Sequence, residues 1–247
     1  MMNHDISYEG VRPFIFDVDG VLTNTGQTIT QEFQEYFLSW MKHHPTILVT
    51  GSEHHKTREQ VGDAIVDEAL LTFNCMGNSI WMNGEEILHI NPIHLTKQEQ
   101  LWLHHEITLM QFPLKQGNHI EHRRGSINVS FTGRPAKHGI RSAFKVWDEQ
   151  HEYRKRLIDR FNASNPRLEA FIGGDTSIDI CLKHCNKGQL VNTLPTAMKR
   201  HEFIFFGDKC FPGGIDYPLA VYGEFEATVH EVSGYQDTWR ILQEVYS

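Results

Sequence analysis

The stretch "FIFDVDGVLTNTG", residues 14–26, ends a short apolar run on two carboxylates that stand two residues apart. The apolar run predicts a buried β-strand over residues 14–16, with Asp17 and Asp19 at its carboxyl end. A carboxylate at the end of a buried strand raises the free energy of the fold unless it is paired, hydrogen-bonded or bound to a cation. We therefore expect other parts of the chain to bring positive charge or a metal ion to this point.

The residues that follow this strand predict a parallel α/β sheet. Residues 28–44 carry apolar side chains at helical spacing, and residues 46–52 contain a second apolar run closed by Gly51. The stretch "HKTREQVGDAI" predicts a further helix, and Asn83-Gly84 predicts a hairpin turn between short strands. Alternation of strands and helices is typical of sheets with parallel strands.

The middle of the chain has a different character. Residues 95–110 have helical spacing, and residues 119–134 contain apolar side chains at alternate positions, as in a half-exposed antiparallel strand. The stretch "EFIFFGD" then returns to the buried pattern of a parallel strand. We therefore predict an α/β core formed by residues 1–88 and 186–247, with an α+β domain of residues 89–185 inserted between them.

Composition and charge argue against several classes of function. The 247 residues carry a formal net charge of −8, which disfavours general binding of nucleic acid or anionic membranes. No apolar run reaches the ~18 residues of a membrane helix, and the first residues lack the pattern of a signal peptide. The four cysteines form no C-x-x-C pair, so we expect free thiols in a reducing cytoplasm. The adjacent histidine pairs lack metal-site spacing and are interpreted as solvated surface side chains.

A second apolar strand, near the end of the chain, also ends on a carboxylate. The stretch "FIFFGDKCFPGGID", residues 203–216, places Asp208 at the strand end and Asp216 beyond a glycine-rich turn. Because ligands bind at the carboxyl ends of parallel strands, we expect Asp17, Asp19 and Asp208 to converge on one edge of the sheet. Carboxylate oxygens with room for water suit Mg²⁺. Asp216 would either bind the ion or orient the residues that do.

Further polar side chains make this edge a site for a phosphoryl group. Thr50 and Ser52 follow the second strand and offer hydroxyl and backbone donors, and Lys187 supplies a balancing positive charge. In such a site Asp17 can attack phosphorus and form an aspartyl-phosphate. Asp19 is placed to protonate the leaving oxygen and later to deprotonate the incoming one. A Mg²⁺ ion would offset the charge on the transferred group.

The motifs "DVDGVLT" and "GDKCFPGGID" resemble those of the haloacid dehalogenase (HAD) superfamily of phosphotransferases. A single D-x-D-G stretch fits a cation-binding or Asx turn equally well, but two motifs that each close an apolar strand favour the superfamily. The segments "RRGSINVSFTGR", "FIGGDTSIDI" and "YQDTWRILQEVYS" resemble the eukaryotic-type phosphomannomutases of that superfamily. The similarity runs in order through essentially the whole chain.

This resemblance implies a fold, an activity and a set of residues. The fold is a HAD-like Rossmannoid parallel-sheet core in which the inserted α+β domain, residues 89–185, is a cap. The activity is a Mg²⁺-dependent interconversion of mannose 6-phosphate and mannose 1-phosphate, with a hexose 1,6-bisphosphate as intermediate and activator. The cap residues implied are Arg123, Arg134, Arg141 and Ser177 for phosphate and Asp179 for sugar hydroxyls. The partners implied are small hexose phosphates and a second copy of the chain, in a cytoplasmic homodimer joined through the cap.

Several alternatives stay open. Without the surrounding motifs, the three cap arginines would be interpreted as surface side chains. The same scaffold also fits a HAD-type sugar-phosphate phosphatase, in which water attacks the aspartyl-phosphate, and a non-catalytic binder of sugar phosphates, which would not need Asp19. Departures from the family bear on this choice: Gly26 stands where the family has an arginine and Ile215 where it has an asparagine. In addition, residues 217–228 lack the acidic and hydroxyl pattern that holds a structural cation in the family.

Overall fold

Two β-sheets organise the part of the chain described by this computed structural model, which covers residues 10–194, 202–222 and 227–247. The strands are β1 (Phe14–Phe16), β2 (Thr46–Val49), β3 (Leu71–Asn74), β4 (Ser79–Met82), β5 (Glu85–His89), β6 (Asn118–Arg123), β7 (Ser126–Arg134), β8 (Leu168–Ile172), β9 (Ser177–Leu182), β10 (Ile204–Gly207) and β11 (Thr228–Glu231). The helices are α1 (Gln31–Met41), α2 (His54–Val61), α3 (Asp63–Glu68), α4 (Lys97–Leu109), α5 (His138–His151), α6 (Tyr153–Ser164), α7 (Leu190–Thr193), α8 (Tyr217–Val221) and α9 (Tyr235–Val245). Within these ranges, none of the helices has the length and apolar character needed to cross a lipid bilayer.

The larger sheet draws its strands from both ends of the chain. Its order is β11-β10-β1-β2-β3-β4-β5. The first five of these strands run parallel, and β4 and β5 are antiparallel additions at one edge. The fold is therefore mixed α/β with a mostly parallel central sheet, as the alternation of strands and helices predicts.

The register of this sheet brings the ends of three strands to one level. Phe16 of β1 pairs with Phe206 of β10 and with Leu48 of β2. Asp17 follows directly, and its amide donates a hydrogen bond to the Phe206 carbonyl at 3.0 Å. The carboxyl ends of β1, β2 and β10 therefore form one edge, on which the polar residues after each strand lie.

Helix α1 packs on this sheet because its apolar side chains recur at helical spacing. It begins after Thr30, whose hydroxyl accepts a hydrogen bond from the Phe33 amide at 3.4 Å. Phe33 and Phe37 are fully buried, and the Phe37 ring packs edge-on against Phe16 of β1 at a centroid distance of 5.1 Å. This aromatic contact holds β1, the strand that ends at Asp17, against α1.

Glycine-containing turns set two boundaries between elements. Asn83 and Gly84 both have positive φ, at 51° and 77°, and join β4 to β5 in the predicted hairpin. The prediction of a single helix over "HKTREQVGDAI" is wrong, since Gly62, with φ of +87°, separates α2 from α3. A residue with this left-handed φ does not continue an α-helix.

Two histidines correct the interpretation of the histidine pairs as solvated. His44 is half-buried and stacks on Trp40 with ring centroids 4.0 Å apart. His54 is also half-buried and stacks on Trp81 at 3.9 Å. The partner of His54 was not visible in the sequence, because Trp81 is far from it along the chain, whereas Trp40 stands four residues before His44 and is at helical spacing from it.

The smaller sheet is antiparallel and comes from the middle of the chain, in the order β6-β7-β9-β8. Its core includes Phe131 of β7, which stacks on Phe144 of α5 at a centroid distance of 6.0 Å, and Leu157 of α6, which is fully buried. The boundaries proposed for the cap stay a prediction, and all four strands lie between them.

The two sheets meet at the turn that follows Asp208. Ile172, at the end of β8, donates its amide to the Gly213 carbonyl at 2.8 Å and accepts a hydrogen bond from the Ile215 amide at 3.0 Å. Ile215 is 5% exposed and packs in the apolar cluster of the smaller sheet. The cap is thereby joined to the carboxyl edge of the larger sheet.

Candidate active site

A fully buried ammonium group joins two of the predicted carboxylates. Lys187 Nζ lies 2.8 Å from Asp17 Oδ1 and 2.7 Å from Asp216 Oδ1, and none of the three side chains is more than 5% exposed. Lys187 begins a one-turn 3-10 helix that is capped by Asn186, whose side-chain oxygen accepts a hydrogen bond from the Gly188 amide at 2.9 Å. The positive charge expected at the end of β1 is therefore present.

Burial and neighbouring charges move the pKa values of this group in different directions. Burial raises the pKa of Asp17 well above its usual range, and the charge of Lys187 offsets only part of this shift. Burial would also raise the pKa of Asp216, but Lys187 and Lys209 bring it below its ordinary value. Burial would lower the pKa of Lys187, yet the two carboxylates raise it overall. Asp216 therefore keeps Lys187 protonated, whereas Asp17 stands to gain most from a further cation.

Asp208 brings a third carboxylate to the same point. Oxygen atoms of Asp17, Asp208 and Asp216 all lie within 4.8 Å of one another. Asp208 Oδ2 pairs with Lys209, whereas Asp208 Oδ1 is buried and has no hydrogen-bond partner among the described residues. A buried carboxylate oxygen without a partner is costly, and a hard cation such as Mg²⁺ would satisfy it. The three side chains therefore fit a bound Mg²⁺ ion.

Asp19 lies beside this cluster, and its carboxylate does not belong to the grouped oxygen atoms. Asp19 Oδ1 accepts hydrogen bonds from the Gly26 amide at 2.6 Å and from Gln60 Nε2 at 2.8 Å. The next residue, Gly20, has φ of +83°, and a side chain there would overlap the Asp208 carboxylate. These two hydrogen bonds hold the Asp19 carboxylate beside the cluster. Its predicted roles as general acid and base and as part of the metal site stay predictions.

Thr50 and Ser52 lie at the end of β2, on the same edge. The Thr50 amide donates to the Phe73 carbonyl of β3 at 2.8 Å, and the Thr50 carbonyl accepts a hydrogen bond from the Met76 amide at 2.8 Å. The Ser52 amide donates to the Thr50 hydroxyl at 3.1 Å. The backbone of this loop is therefore held on both sides, which suits a fixed binding site for phosphate oxygens.

A cleft between the two sheets contains most of the predicted site residues. Those that line it are Asp17, Asp19, Thr50, Ser52, Arg123, Arg134, Arg141, Ser177, Asp179 and Lys187. Asp208 and Asp216 do not line it but lie next to Asp17. The structure thus brings together residues from both ends and the middle of the chain.

Arg123 differs from the other two cap arginines because its guanidinium is fully engaged. It is 5% exposed and donates to the Gly51 carbonyl of the core at 2.9 Å. It also forms two hydrogen bonds of 3.2 Å with the Glu121 carboxylate and lies 3.4 Å from Asp179 Oδ1. Arg123 therefore ties the cap to the loop after β2, in addition to any role in phosphate binding.

Arg134 and Arg141 keep donors available for an anion. Arg134 Nη2 donates to Asn128 Oδ1 at 2.7 Å, and its Nε lies 3.1 Å from Glu121. Arg141 forms no ion pair within the described residues, and a Cβ atom on Gly26 would lie 3.7 Å from Arg141 Nη2. The guanidinium of Arg141 thus lies against the residue that replaces the arginine of the family. These two side chains suit the predicted clamp better than Arg123 does.

Strand β9 places Ser177 and Asp179 on the same face, two residues apart. Asp179 Oδ1 accepts a hydrogen bond from Asn128 Nδ2 at 2.9 Å. Gly173, in the preceding turn, leaves the space that Asp179 needs, because a side chain there would overlap its carboxylate. A hydroxyl and a carboxylate therefore face the cleft at fixed positions.

Four charged or amide side chains in or beside this cleft were not predicted as site residues from the sequence. They are Lys56, Glu121, Asn128 and Lys209. A signal was present for Lys209 and Asn128, because both lie within motifs that the sequence analysis quotes. Lys56 and Glu121 are single charged residues on a helix and a strand, and nothing in the sequence distinguishes them from solvated side chains.

Comparison with known proteins identifies the family of this chain. A sequence profile of the family described as eukaryotic phosphomannomutase matches residues 33–247. The chain is 32% identical to the phosphomannomutase of Drosophila melanogaster, over 94% of each chain. It is 29% identical to that of Saccharomyces cerevisiae, over 94% of this chain and 93% of the yeast protein. This chain belongs to the eukaryotic phosphomannomutase family.

Solved structures with a similar fold support the architecture described above. The chain superposes on the IMP-nucleotidase of Plasmodium falciparum with a TM-score of 0.61 and 15% identity, over 96% of this chain and 69% of that one. It superposes on the C-terminal domain of Candida albicans trehalose-6-phosphate phosphatase with a TM-score of 0.51 and 15% identity, over 80% and 70% of the two chains. These likenesses support the HAD-like core. Residues 223–226, within the segment expected to lack a structural cation, lie outside the described residues.

Proposed function

We propose that this chain is a phosphomannomutase that interconverts mannose 6-phosphate and mannose 1-phosphate. In this proposal Asp17 carries the phosphoryl group, and Asp19 is the general acid and base. Mg²⁺ is the metal, and a hexose 1,6-bisphosphate is the activator that first phosphorylates Asp17. Membership of the phosphomannomutase family supports a phosphosugar mutase.

One observation carries the proposal, namely that the cleft has groups suited to phosphoryl transfer at one end and groups suited to binding an anion at the other. Asp17, Thr50 and Ser52 lie at the core end, and Arg134 and Arg141 lie at the cap end. An enzyme that hydrolyses small phosphate esters needs only the first set. A hexose bisphosphate, with a phosphate at each end, needs both, and guanidinium groups bind phosphate through paired, charge-assisted hydrogen bonds.

In the proposed steps, side chains of this chain carry both the phosphoryl group and the proton that are transferred. In the first transfer, phosphorylated Asp17 gives its phosphoryl group to a free hydroxyl of the hexose phosphate while Asp19 takes the hydroxyl proton. The bisphosphate then reorients, an Asp17 oxygen attacks the other phosphorus, and Asp19 returns the proton to the leaving sugar oxygen. Lys187 holds Asp17 Oδ1 throughout. When bound by Asp17, Asp208 and Asp216, Mg²⁺ supplies positive charge that offsets the charge of the phosphoryl group.

A coupled assay tests the proposal. Purified protein is supplied with mannose 1-phosphate, Mg²⁺ and a catalytic amount of hexose 1,6-bisphosphate, and both mannose 6-phosphate and inorganic phosphate are measured. We expect mannose 6-phosphate to be the main product and its formation to require the bisphosphate. Formation of inorganic phosphate alone would contradict a mutase, and formation of neither product would contradict catalysis on this sugar.

A sugar-phosphate phosphatase is the second candidate, and one observation favours it. Gly26 lines the cleft beside Asp19 without a side chain, so water can approach this part of the cleft more freely than beside an arginine. Water would then take the place of the sugar hydroxyl as the acceptor from phosphorylated Asp17. The ratio of the two products in the coupled assay decides between the two activities.

We also propose a cytoplasmic homodimer joined through the cap. Leu101 and Leu109, on helix α4 of the cap, are 61% and 62% exposed. Exposed leucines on one helix support a surface that a second copy of the chain covers in solution. The cysteines in the described residues are free thiols, which suits a reducing compartment. Light scattering measures the mass of the purified protein, and a monomer at micromolar concentration would contradict the dimer. Fluorescence imaging of the tagged chain tests the compartment.

A further inference from the structure

Lys56 of α2 is a half-buried cation that lines the cleft. Its ammonium group has no carboxylate within 4.0 Å and no hydrogen bond within the described ranges of the chain. A partly desolvated charge that lacks a partner raises the free energy of the folded state. Because Lys56 lines the cleft, an anionic ligand bound there would pair with its ammonium group and remove this cost.

The other lysines of the cleft are already neutralised. Lys187 is paired with Asp17 and Asp216, and Lys209 is paired with Asp208. On the core side of the cleft, among the residues that the structure describes, Lys56 is therefore the cation left for a ligand. Gly26, which also lines the core side, supplies no side chain at all.

The charged groups that act on Lys56 come from both the core side and the cap side of the cleft. Burial lowers the pKa of Lys56, the negative charge of Asp19 raises it, and the nearby Arg123 and Arg134 lower it again. Glu121, which pairs with both arginines, has a smaller effect and raises the pKa of Lys56. Lys56 thus lies near enough to Asp19, Arg123 and Arg134 for their charges to act on it, and all four residues line the same cleft.

We propose that Lys56 binds the phosphate that is not being transferred, from the core side of the cleft and together with the cap arginines, and thereby retains the bisphosphate while it reorients. This inference rests on the proposed mutase function, because a phosphatase forms no bisphosphate that must be kept. A planar guanidinium fixes one orientation of a phosphate, whereas an ammonium on a flexible four-carbon stem follows a phosphate as it moves. The lysine therefore suits a position that both phosphates pass.

The variant Lys56→Met tests this role, with Lys42→Met as the matched control. Methionine keeps most of the length of lysine and removes the charge, and Lys42 is an exposed residue at the end of α1. The measured quantity is the amount of labelled hexose 1,6-bisphosphate released into solution per mannose 6-phosphate formed. Removal of one charge-assisted hydrogen bond predicts a rise of about 10- to 100-fold in this ratio for Lys56→Met. The ratio of Lys42→Met should equal that of the wild type.

Two further measurements separate retention from a structural effect. Hydrolysis of a small aryl phosphate, which does not reach the cap, should stay within about twofold of the wild type. Lys56→Arg, which keeps the charge, should recover part of the retention. An unchanged release ratio in Lys56→Met, or a parallel fall of aryl phosphate hydrolysis, would overturn the proposal.

Direct binding separates a failure of this inference from a failure of the mutase proposal. Calorimetry measures the affinity of wild type, Lys56→Met and the milder Lys56→Gln for mannose 1,6-bisphosphate. A decrease of about 10-fold or more in affinity supports the interaction even if the wild type proves to be a phosphatase. Equal affinities would contradict the interaction even if the wild type proves to be a mutase.

Discussion

Asp17 lies at the end of a buried strand, where a negative charge raises the free energy of the folded protein. The proposed chemistry nevertheless requires a carboxylate at this position. Burial raises its pKa, and Lys187, itself fully buried, offsets part of that shift. Asp216 then keeps Lys187 charged through an ion pair of 2.7 Å. The chain thus holds a carboxylate that is less stable as an anion than it would be in water, which is suited to a nucleophile that becomes neutralised by a cation and by phosphorylation.

Asp17→Asn should abolish phosphoryl transfer without lowering the unfolding temperature of the metal-free protein. The amide cannot form the aspartyl-phosphate, and it resembles the protonated carboxyl group that burial favours. Activity on mannose 1-phosphate and the thermal unfolding midpoint measure the two effects. The matched control is Asp63→Asn, whose side chain is 75% exposed and should leave activity unchanged. Substantial turnover by purified Asp17→Asn would contradict the covalent mechanism.

Arg141→Ala should lower mutase activity far more than hydrolysis of a small aryl phosphate. Removing a charge-assisted hydrogen bond from the closed cleft costs about 1.5–3 kcal/mol, or roughly one to two decades in kcat/KM. Arg141→Lys should recover only part of this activity, because an ammonium group lacks the two-pronged geometry. Both activities are measured in wild type and the two variants. A parallel fall of the two activities would show that Arg141 does not bind the distal phosphate.

At the scale of elements, the turn between β8 and β9 positions the face of the cap that is proposed to bind substrate. Gly173 lies in this turn, and a side chain there would overlap the Asp179 carboxylate. Asp179 in turn contacts Asn128 and Arg123. A small change in the turn therefore reaches the residues that tie the cap to the core.

Gly173→Ala should weaken substrate binding, whereas Gly139→Ala should not. The first variant displaces Asp179 and disturbs its contact with Arg123, so we expect KM for mannose 1-phosphate to rise by roughly tenfold, a cost of ~1.4 kcal/mol. A Cβ atom on Gly139, in α5, meets nothing within 4 Å. KM and kcat are measured separately for both variants. An unchanged KM in Gly173→Ala would contradict the positioning role of this turn.

Helix α2 and strand β4 are joined by the stack of His54 on Trp81, which makes their contact sensitive to pH. Burial lowers the pKa of His54 below its ordinary value of about 6.5, and the charge of Arg58 lowers it further. Between the folded-state pKa and pH ~6.5, the unfolded chain binds more protons than the folded chain. The contribution of His54 to stability is therefore complete above pH ~6.5 and is lost as the pH falls below it.

His54→Gln should flatten the dependence of stability on pH in this range. The free energy of unfolding is measured by urea denaturation between about pH 5 and pH 8 for wild type and variant. We expect the difference between the two proteins to shrink as the pH falls, because only the wild type loses the stacked neutral imidazole. His55→Gln, which changes the exposed neighbour, is the control. A difference that stays constant with pH would contradict the assignment.

At the scale of the whole molecule, the two sheets meet beside the carboxylates of Asp17, Asp208 and Asp216. The turn from Gly213 to Ile215 joins the cap at Ile172, directly after the strand that brings Asp208 to Asp17. In the described residues, Lys187 and Lys209 supply the positive charge that offsets these carboxylates. A divalent cation at this point would add to the stability of the assembled fold.

Addition of Mg²⁺ to the EDTA-treated protein should raise its unfolding temperature and restore activity. At a concentration about 100 times its dissociation constant, the ion stabilises the fold by about 2.7 kcal/mol, which corresponds to ~5–10 °C for a domain of this size. Asp208→Asn should abolish most of this shift. Thermal unfolding with and without Mg²⁺ measures the effect independently of activity. Full activity and an unchanged midpoint in EDTA would contradict the metal site.

The sequence by itself determined the sheet and the carboxylate edge. Strand and helix periodicity are local properties, and Asp17 and Asp208 each follow an apolar run that could only be a buried strand. Because parallel strands end at a common edge, the convergence of these residues required no further information. The helix over "HKTREQVGDAI" was predicted wrongly, since a single glycine with a left-handed backbone interrupts a pattern that otherwise continues.

Only the tertiary structure decided how the charges of the site are distributed. Lys56 and Glu121 look like ordinary charged residues in the sequence, and folding makes the first a cation without an ion pair among the described residues and the second a partner of two arginines. Lys187 was predicted as a balancing charge, and only the folded structure shows that it is fully buried between Asp17 and Asp216. Likewise, the family resemblance treats the three cap arginines alike, but in the structure Arg123 donates a hydrogen bond to the core at Gly51, whereas Arg141 lies beside Gly26 and forms no ion pair within the described residues. The physical reason is that burial and pairing depend on distances between residues that are far apart in the chain, and these distances exist only once both sheets have packed together.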